Sequence, residues 1–152
     1  MDKIPKRSQL AQLYRQPLHR LEELMPFLIK DPNYYQVIGL VFSFFFLFTK
    51  SNIHQIILIS LILIFDWFDG ATARKYNLTS KKGYLIDVVV DRISEGLIFS
   101  AILNSIVGKI FFSLYLLNNL LSFYSIKSGK HNIIALRFFY LVFLIINIFW
   151  KI

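Results

Sequence analysis

The stretch 66–91, DWFDGATARKYNLTSKKGYLIDVVVD, constrains this chain more than any other, because it sets four carboxylates at the junction of two strongly apolar runs. Asp66 and Asp69 lie three residues apart at the end of the first run, and Asp87 and Asp91 lie four apart at the start of the next. Residues at these spacings share one face of a helix. Two helices joined by the basic, polar connection 74–82 would form a hairpin that brings both acidic pairs to one end of a bundle. Gly83, Asp87, Asp91 and Glu95 follow at four-residue steps, which draws a nearly continuous stripe down one face of the second helix. Ionisable residues inside a span are costly and mark a function. The plainer alternative is that they pair with Arg92 and nearby lysines to hold the bundle together.

Four like charges in one low-dielectric corner either take up protons or recruit a cation. The donors are all oxygens, the chain has no cysteine, and no histidine is nearby, so the set favours magnesium or manganese over zinc. Asp66, Asp69, Asp87 and Asp91 are the candidate metal ligands. Hard divalent ions in water-accessible sites mostly serve phosphate chemistry.

The rest of the chain supplies a membrane setting. With 56% hydrophobic residues over 152 positions, it is too apolar for a soluble domain and long enough for several spans. The expected class is all-α: a polytopic transmembrane helical bundle of about five spans over 34–49, 53–68, 83–107, 110–126 and 133–150. Some ends of these short runs must reach the interface, where Tyr34, Tyr35, Trp67 and Trp150 are well suited. Residues 1–33 are expected to form a cytoplasmic amphipathic interfacial segment, with Leu10, Leu13, Leu18, Leu21 and Leu28 as its apolar stripe and breaks at Pro17 and Pro26. Residues 34–152 then form the transmembrane domain.

Charge fixes the expected orientation. With 1–33 in the cytoplasm and five spans following, thirteen of the seventeen lysines and arginines fall on the cytoplasmic side and three on the other. That bias follows the positive-inside rule, so the carboxylates should face the cytoplasm. The net charge of +8 is dispersed between apolar runs and forms no basic face with stacking aromatics, which argues against nucleic acid and for anionic lipid or phosphate partners. The absence of cysteine excludes disulfides and thiol chemistry. His19, His54 and His131 are isolated and make no metal site.

The pattern Asp66, Asp69-Gly70, Ala73-Arg74, Gly83, Asp87, Asp91 resembles the signature of the CDP-alcohol phosphatidyltransferase family at all eight fixed positions. The resemblance implies a pocket for the cytidine diphosphate moiety formed by Gly70, Ala73, Arg74 and Gly83. Small residues allow close approach of a nucleotide, and an arginine can grip phosphate in a two-pronged contact. It implies two Mg2+ or Mn2+ ions on the four aspartates, with Asp91 also the catalytic base that activates the acceptor hydroxyl. The implied reaction belongs to phospholipid biosynthesis: a phosphatidyl-type group passes from a CDP-activated lipid, such as CDP-diacylglycerol, to an alcohol, and CMP is released.

Asp91-Arg92-Ile93 with Glu95, Ile126-Lys127 and Arg137 look like the phosphatidylinositol phosphate and archaetidylinositol phosphate synthase subgroup. That likeness implies a phosphorylated polyol acceptor, inositol phosphate or glycerol 3-phosphate, with its phosphate held by Lys127 and Arg137 and less strongly by Lys130. The alternative reading of these three is ordinary cytoplasmic-side charge. A homodimer is left open. Two departures stand out: family members usually have six spans, against five here, and Gln36 occupies a position where threonine is common, which implies a changed nucleotide contact. The rival functions are a non-catalytic CDP-lipid-binding or partner-stabilising membrane protein and, further off, an ion transporter.

Overall fold

The computed structural model describes residues 29–128 and 133–150. Five helices follow one another: α1 (Asn33–Phe46), α2 (Asn52–Lys75), α3 (Lys81–Ala101), α4 (Ile106–Ser128) and α5 (Leu136–Trp150). Among the described residues there is no strand, in keeping with the all-α expectation. The interfacial stripe from Leu10 to Leu28, Lys130 and His131 lie outside the described residues.

Helix ends differ from the sequence reading in two places. The helix α2 continues past its apolar run through Gly70 to Lys75, so the expected connection 74–82 shrinks to 76–80. Alanine and arginine favour the helix, and the basic Arg74 and Lys75 complement the negative end of its dipole. Asn77 then adopts a left-handed φ of 55° and stops it. The Leu78 N–H donates to the Ala73 carbonyl at 2.8 Å and the Asn77 N–H to that of Arg74 at 3.2 Å, the paired bonds of a Schellman ending. Ser80 restarts the chain as the cap of α3, its hydroxyl accepting from the Gly83 N–H at 3.0 Å.

The second difference is a break inside the expected span 83–107. Helix α3 stops at Ala101 and α4 begins at Ile106. Ser105 accepts from the Gly108 N–H at 2.9 Å, and a Cβ on Gly108 would lie 1.8 Å from the Ile102 carbonyl oxygen. Backbone must therefore move if Gly108 gains a side chain. Gly108→Ala is expected to destabilise the bundle by about 1–3 kcal/mol, whereas Gly39→Ala, whose Cβ would meet Phe65 at an ordinary 4.0 Å inside a helix, should cost nothing and gain up to about 1 kcal/mol from helix propensity. Thermal unfolding in detergent compares the two, and equal midpoints would show that the 102–105 turn yields freely.

Helix α1 packs on both α2 and α3; α2 also packs on α5, and α3 on α4. Consecutive α2 and α3 are not closely packed on each other, so the expected hairpin is opened into a cleft. The apolar core is Phe46, Ile59, Ile62, Ile98, Phe99, Leu136, Tyr140 and Leu144. The outer surface inverts the pattern of a water-soluble protein. On α4 the buried residues are Gly108, Asn118, Ser122 and Ser125, while Leu116, Leu120 and Phe123 face outward. On α1, Gly39 and Ser43 are buried and Val37, Val41, Phe44 and Phe45 are exposed. Small and polar residues inside with large apolar ones outside is the arrangement of helices that pack within lipid.

Two helices, α2 with 24 residues and α4 with 23, are long and apolar enough to cross a membrane. At 1.5 Å per residue each reaches about 35 Å, against a hydrocarbon core of about 30 Å. The 14 residues of α1 and 15 of α5 fall below the usual span length. Six charged residues between Lys81 and Glu95 keep α3 from qualifying by composition. Length and apolarity thus support two of the five expected spans.

Candidate active site

The cleft between α2 and α3 is lined by Gln36 and Gly39 of α1, Asp66 of α2, Asp87, Asp91 and Ser94 of α3, and Arg137 of α5, among others. Each helix contributes by its own periodicity. Asp66 and Asp69 sit a little under one turn apart on α2, Asp87 and Asp91 a little over one turn apart on α3, and Ser43 joins Ser94 at 2.6 Å to hold α1 against α3. Carboxylate oxygens of Asp66, Asp87 and Asp91 lie within 4.8 Å of one another, all three residues half-buried. Opposite ligands of an octahedral ion with 2.1 Å bonds are about 4.2 Å apart. Small carboxylate rotations would close these three around such an ion, and the oxygen-only donor set fits a hard cation.

Asp69 falls outside that trio. It is buried, accepts from Gln36 Nε2 at 2.8 Å, and lies within hydrogen-bonding reach of Asp87. The expected set of four is therefore three converging carboxylates and a fourth beside Asp87. Gln36, where a changed nucleotide contact is expected, lines the cleft and orients Asp69.

Arg137, expected at the acceptor phosphate, lines the cleft beside the aspartates. It is buried at the first turn of α5, and its Nη2 donates to Asp91 Oδ1 and lies 3.5 Å from Asp66 Oδ2. It therefore does not belong among the surface charges of the topology count. Lys127 is exposed in the last turn of α4. Glu95 is not part of the acidic cluster at all. It is buried and paired with Arg92 at 2.9 Å, as the bundle-stabilising alternative has it, and it accepts from Asn118 Nδ2 at 3.3 Å.

Asn118, which the sequence reading passed over, clamps the start of α5. Its Nδ2 donates to the Ile134 carbonyl and its Oδ1 accepts from the Ile134 N–H, both at 2.9 Å. The available signal was an amide inside the apolar run LYLLNNLL, where an unpaired polar group is unfavourable.

The four residues expected around a nucleotide flank the turn 76–80. Gly70, Ala73 and Arg74 occupy the last turns of α2, and Gly83 the first turn of α3, one turn before Asp87. A Cβ on Gly70 would come 3.1 Å from Arg74 Nη1, so the guanidinium folds back along α2 over the space that glycine leaves. None of the four lines the cleft itself.

A protein of Aquifex aeolicus (strain VF5), described only as uncharacterized, is 36% identical over 88 residues, which is 54% of this chain. The matched region is 45% of that relative's length, so this chain spans about half of it. No solved structure matches the chain. The family model for CDP-alcohol phosphatidyltransferase matches residues 33–150, which includes every helix described above. The chain belongs to the CDP-alcohol phosphatidyltransferase family, a family of phosphotransferase enzymes.

Proposed function

We propose that the protein transfers a phosphatidyl-type group from a CDP-activated lipid to an alcohol and releases CMP. The observation that carries this reading is the convergence of Asp66, Asp87 and Asp91 oxygens from two helices beside a cleft. In this reading the helices 34–152 form five membrane spans, tilted or extended into the interface at α1 and α5, with segment 1–33 on the cytoplasmic surface. The excess of lysine and arginine on one side supports a cytoplasmic site.

Asp66, Asp87 and Asp91 would hold one Mg2+ or Mn2+, and Asp69 with Asp87 a second. When bound, such ions offset charge on the diphosphate and on the departing CMP. Arg74, Gly70, Ala73 and Gly83 would receive the cytidine diphosphate where α2 ends and α3 begins. The acceptor hydroxyl oxygen attacks the lipid-side phosphorus, the bond from that phosphorus to the bridging oxygen breaks, and CMP leaves with that oxygen. The hydroxyl proton passes to a carboxylate oxygen of Asp91. Lys127, and Arg137 once its guanidinium leaves the aspartates, would hold the phosphate of a polyol phosphate acceptor.

The test is CMP release by the purified full chain with CDP-diacylglycerol, Mg2+ and a panel of alcohols. Inositol phosphate or glycerol 3-phosphate should support release well above serine, and Lys127→Ala should raise the KM for the phosphorylated acceptor about tenfold without changing that for the donor. Binding of Mn2+ and CDP-lipid without release to any acceptor would replace this reading with the non-catalytic one.

A further inference from the structure

The carboxylate cluster already holds a cation belonging to the chain. Arg137 is 7% exposed, and one of its terminal nitrogens, Nη2, contacts both Asp91 and Asp66. Those two carboxylates come from different helices, and both belong to the converging trio. The guanidinium and a divalent ion would therefore draw on the same oxygens, and at such separations two positive charges repel strongly.

The surroundings fix where α5 presents this side chain. Asn118 grips both backbone polar groups of Ile134, three residues before Arg137. Asn118 is held in turn by Glu95. The backbone of α5 at this point is anchored to α4 and α3, so relief of the repulsion falls to the long Arg137 side chain, which has rotatable bonds to spare. The cleft, which Arg137 itself lines, is the adjoining space.

We propose that Arg137 is the resident counter-cation of the site: it holds Asp66 and Asp91 together in the metal-free protein and is displaced toward the cleft when a divalent ion loads. This rests on the reading of the aspartates as the metal site. The exchange has two consequences. Metal-free carboxylates from α2 and α3 are kept from repelling each other, and metal affinity is set lower than three bare carboxylates would give.

The experiment is Mn2+ titration of the full chain in detergent, without substrate, followed by electron paramagnetic resonance. Arg137→Gln should bind Mn2+ about tenfold more tightly than the wild type, or better, and Arg137→Lys, which keeps the charge, should stay within about threefold of it. Equal or weaker binding by folded R137Q overturns the competition and leaves the metal site standing. Absence of Mn2+ binding in both proteins overturns the site and the competition together. Should R137Q not fold, dicarbonyl modification of the wild type mapped by mass spectrometry decides the matter. Arg137 should become more reactive on saturation with Mn2+, while Arg92, paired with Glu95, should not change. Arg137 reactivity that Mn2+ leaves unmoved overturns the proposal.

Discussion

Asp87→Asn is expected to lower CMP release by about three orders of magnitude, because metal stabilisation of phosphoryl charge amounts to several kcal/mol and each 1.36 kcal/mol is tenfold in rate. Asp87 is the position where the effect should be greatest. It belongs to the trio with Asp66 and Asp91 and also lies beside Asp69, so it is the carboxylate that two neighbouring ions would share. Asp69→Asn should cost less, about ten- to a hundredfold, since it leaves the trio intact and disturbs a group oriented by Gln36. Asparagine is close to aspartate in shape, so circular dichroism should show unchanged helix content in both variants. CMP release and Mn2+ binding, measured on the same preparations, give the ranking. An Asp87→Asn protein that keeps more than about a tenth of the activity would remove the aspartate trio from the chemistry.

Helical periodicity was enough to place each acidic pair on one helix face, but the two faces meet across a cleft with α1 packed on both α2 and α3, and not through the direct hairpin that the intervening turn suggests. The division of the aspartates into three and one was not legible. It depends on Gln36, thirty-three residues away from Asp69, reaching across from α1. The same limit applies to Arg137. Its charge inside an apolar run was visible, yet which anion it meets is decided by how α5 crosses α2 and by the Asn118 clamp on Ile134. Helix ends are set nearer at hand. The end of α2 at Asn77 is local chemistry, and so is the break at 102–105, where Asn104 and Ser105 interrupt the apolar run; the expected boundary fell a few residues late, at Gly108 and Lys109. The stripe Gly83, Asp87, Asp91, Glu95 treated four positions as equivalent, and packing separated them. Asp87 and Asp91 face the cleft, while Glu95 turns into the contact with α4.

That separation makes Glu95 the second place where a single change should be severe. Glu95 is 1% exposed and carries three interactions' worth of consequence: its ion pair with Arg92, its hydrogen bond from Asn118, and through Asn118 the seating of α5. Removing it leaves Arg92 with two buried nitrogens, Nε and Nη1, that have no hydrogen-bond partner, and Nη1 loses its ion-pair contact as well. Breaking one side of a buried ion pair costs about 3–5 kcal/mol, because the remaining charge has neither water nor a partner. Glu95→Ala should therefore destabilise the bundle by about that amount, a large share of the stability of a small domain. Replacing both members separates the charge effect from lost packing. Arg92→Met with Glu95→Met should recover most of the loss, since a buried pair exchanged for apolar residues of similar volume is often neutral or better. The double-mutant cycle, read from unfolding in detergent, should give strong coupling between the two positions. A Glu95→Ala protein that unfolds within about 1 kcal/mol of wild type would mean that the pair is in effect solvated, and that α5 is seated by its apolar contacts with Ile59 and Ile62 instead of by the polar chain from Arg92 to Ile134.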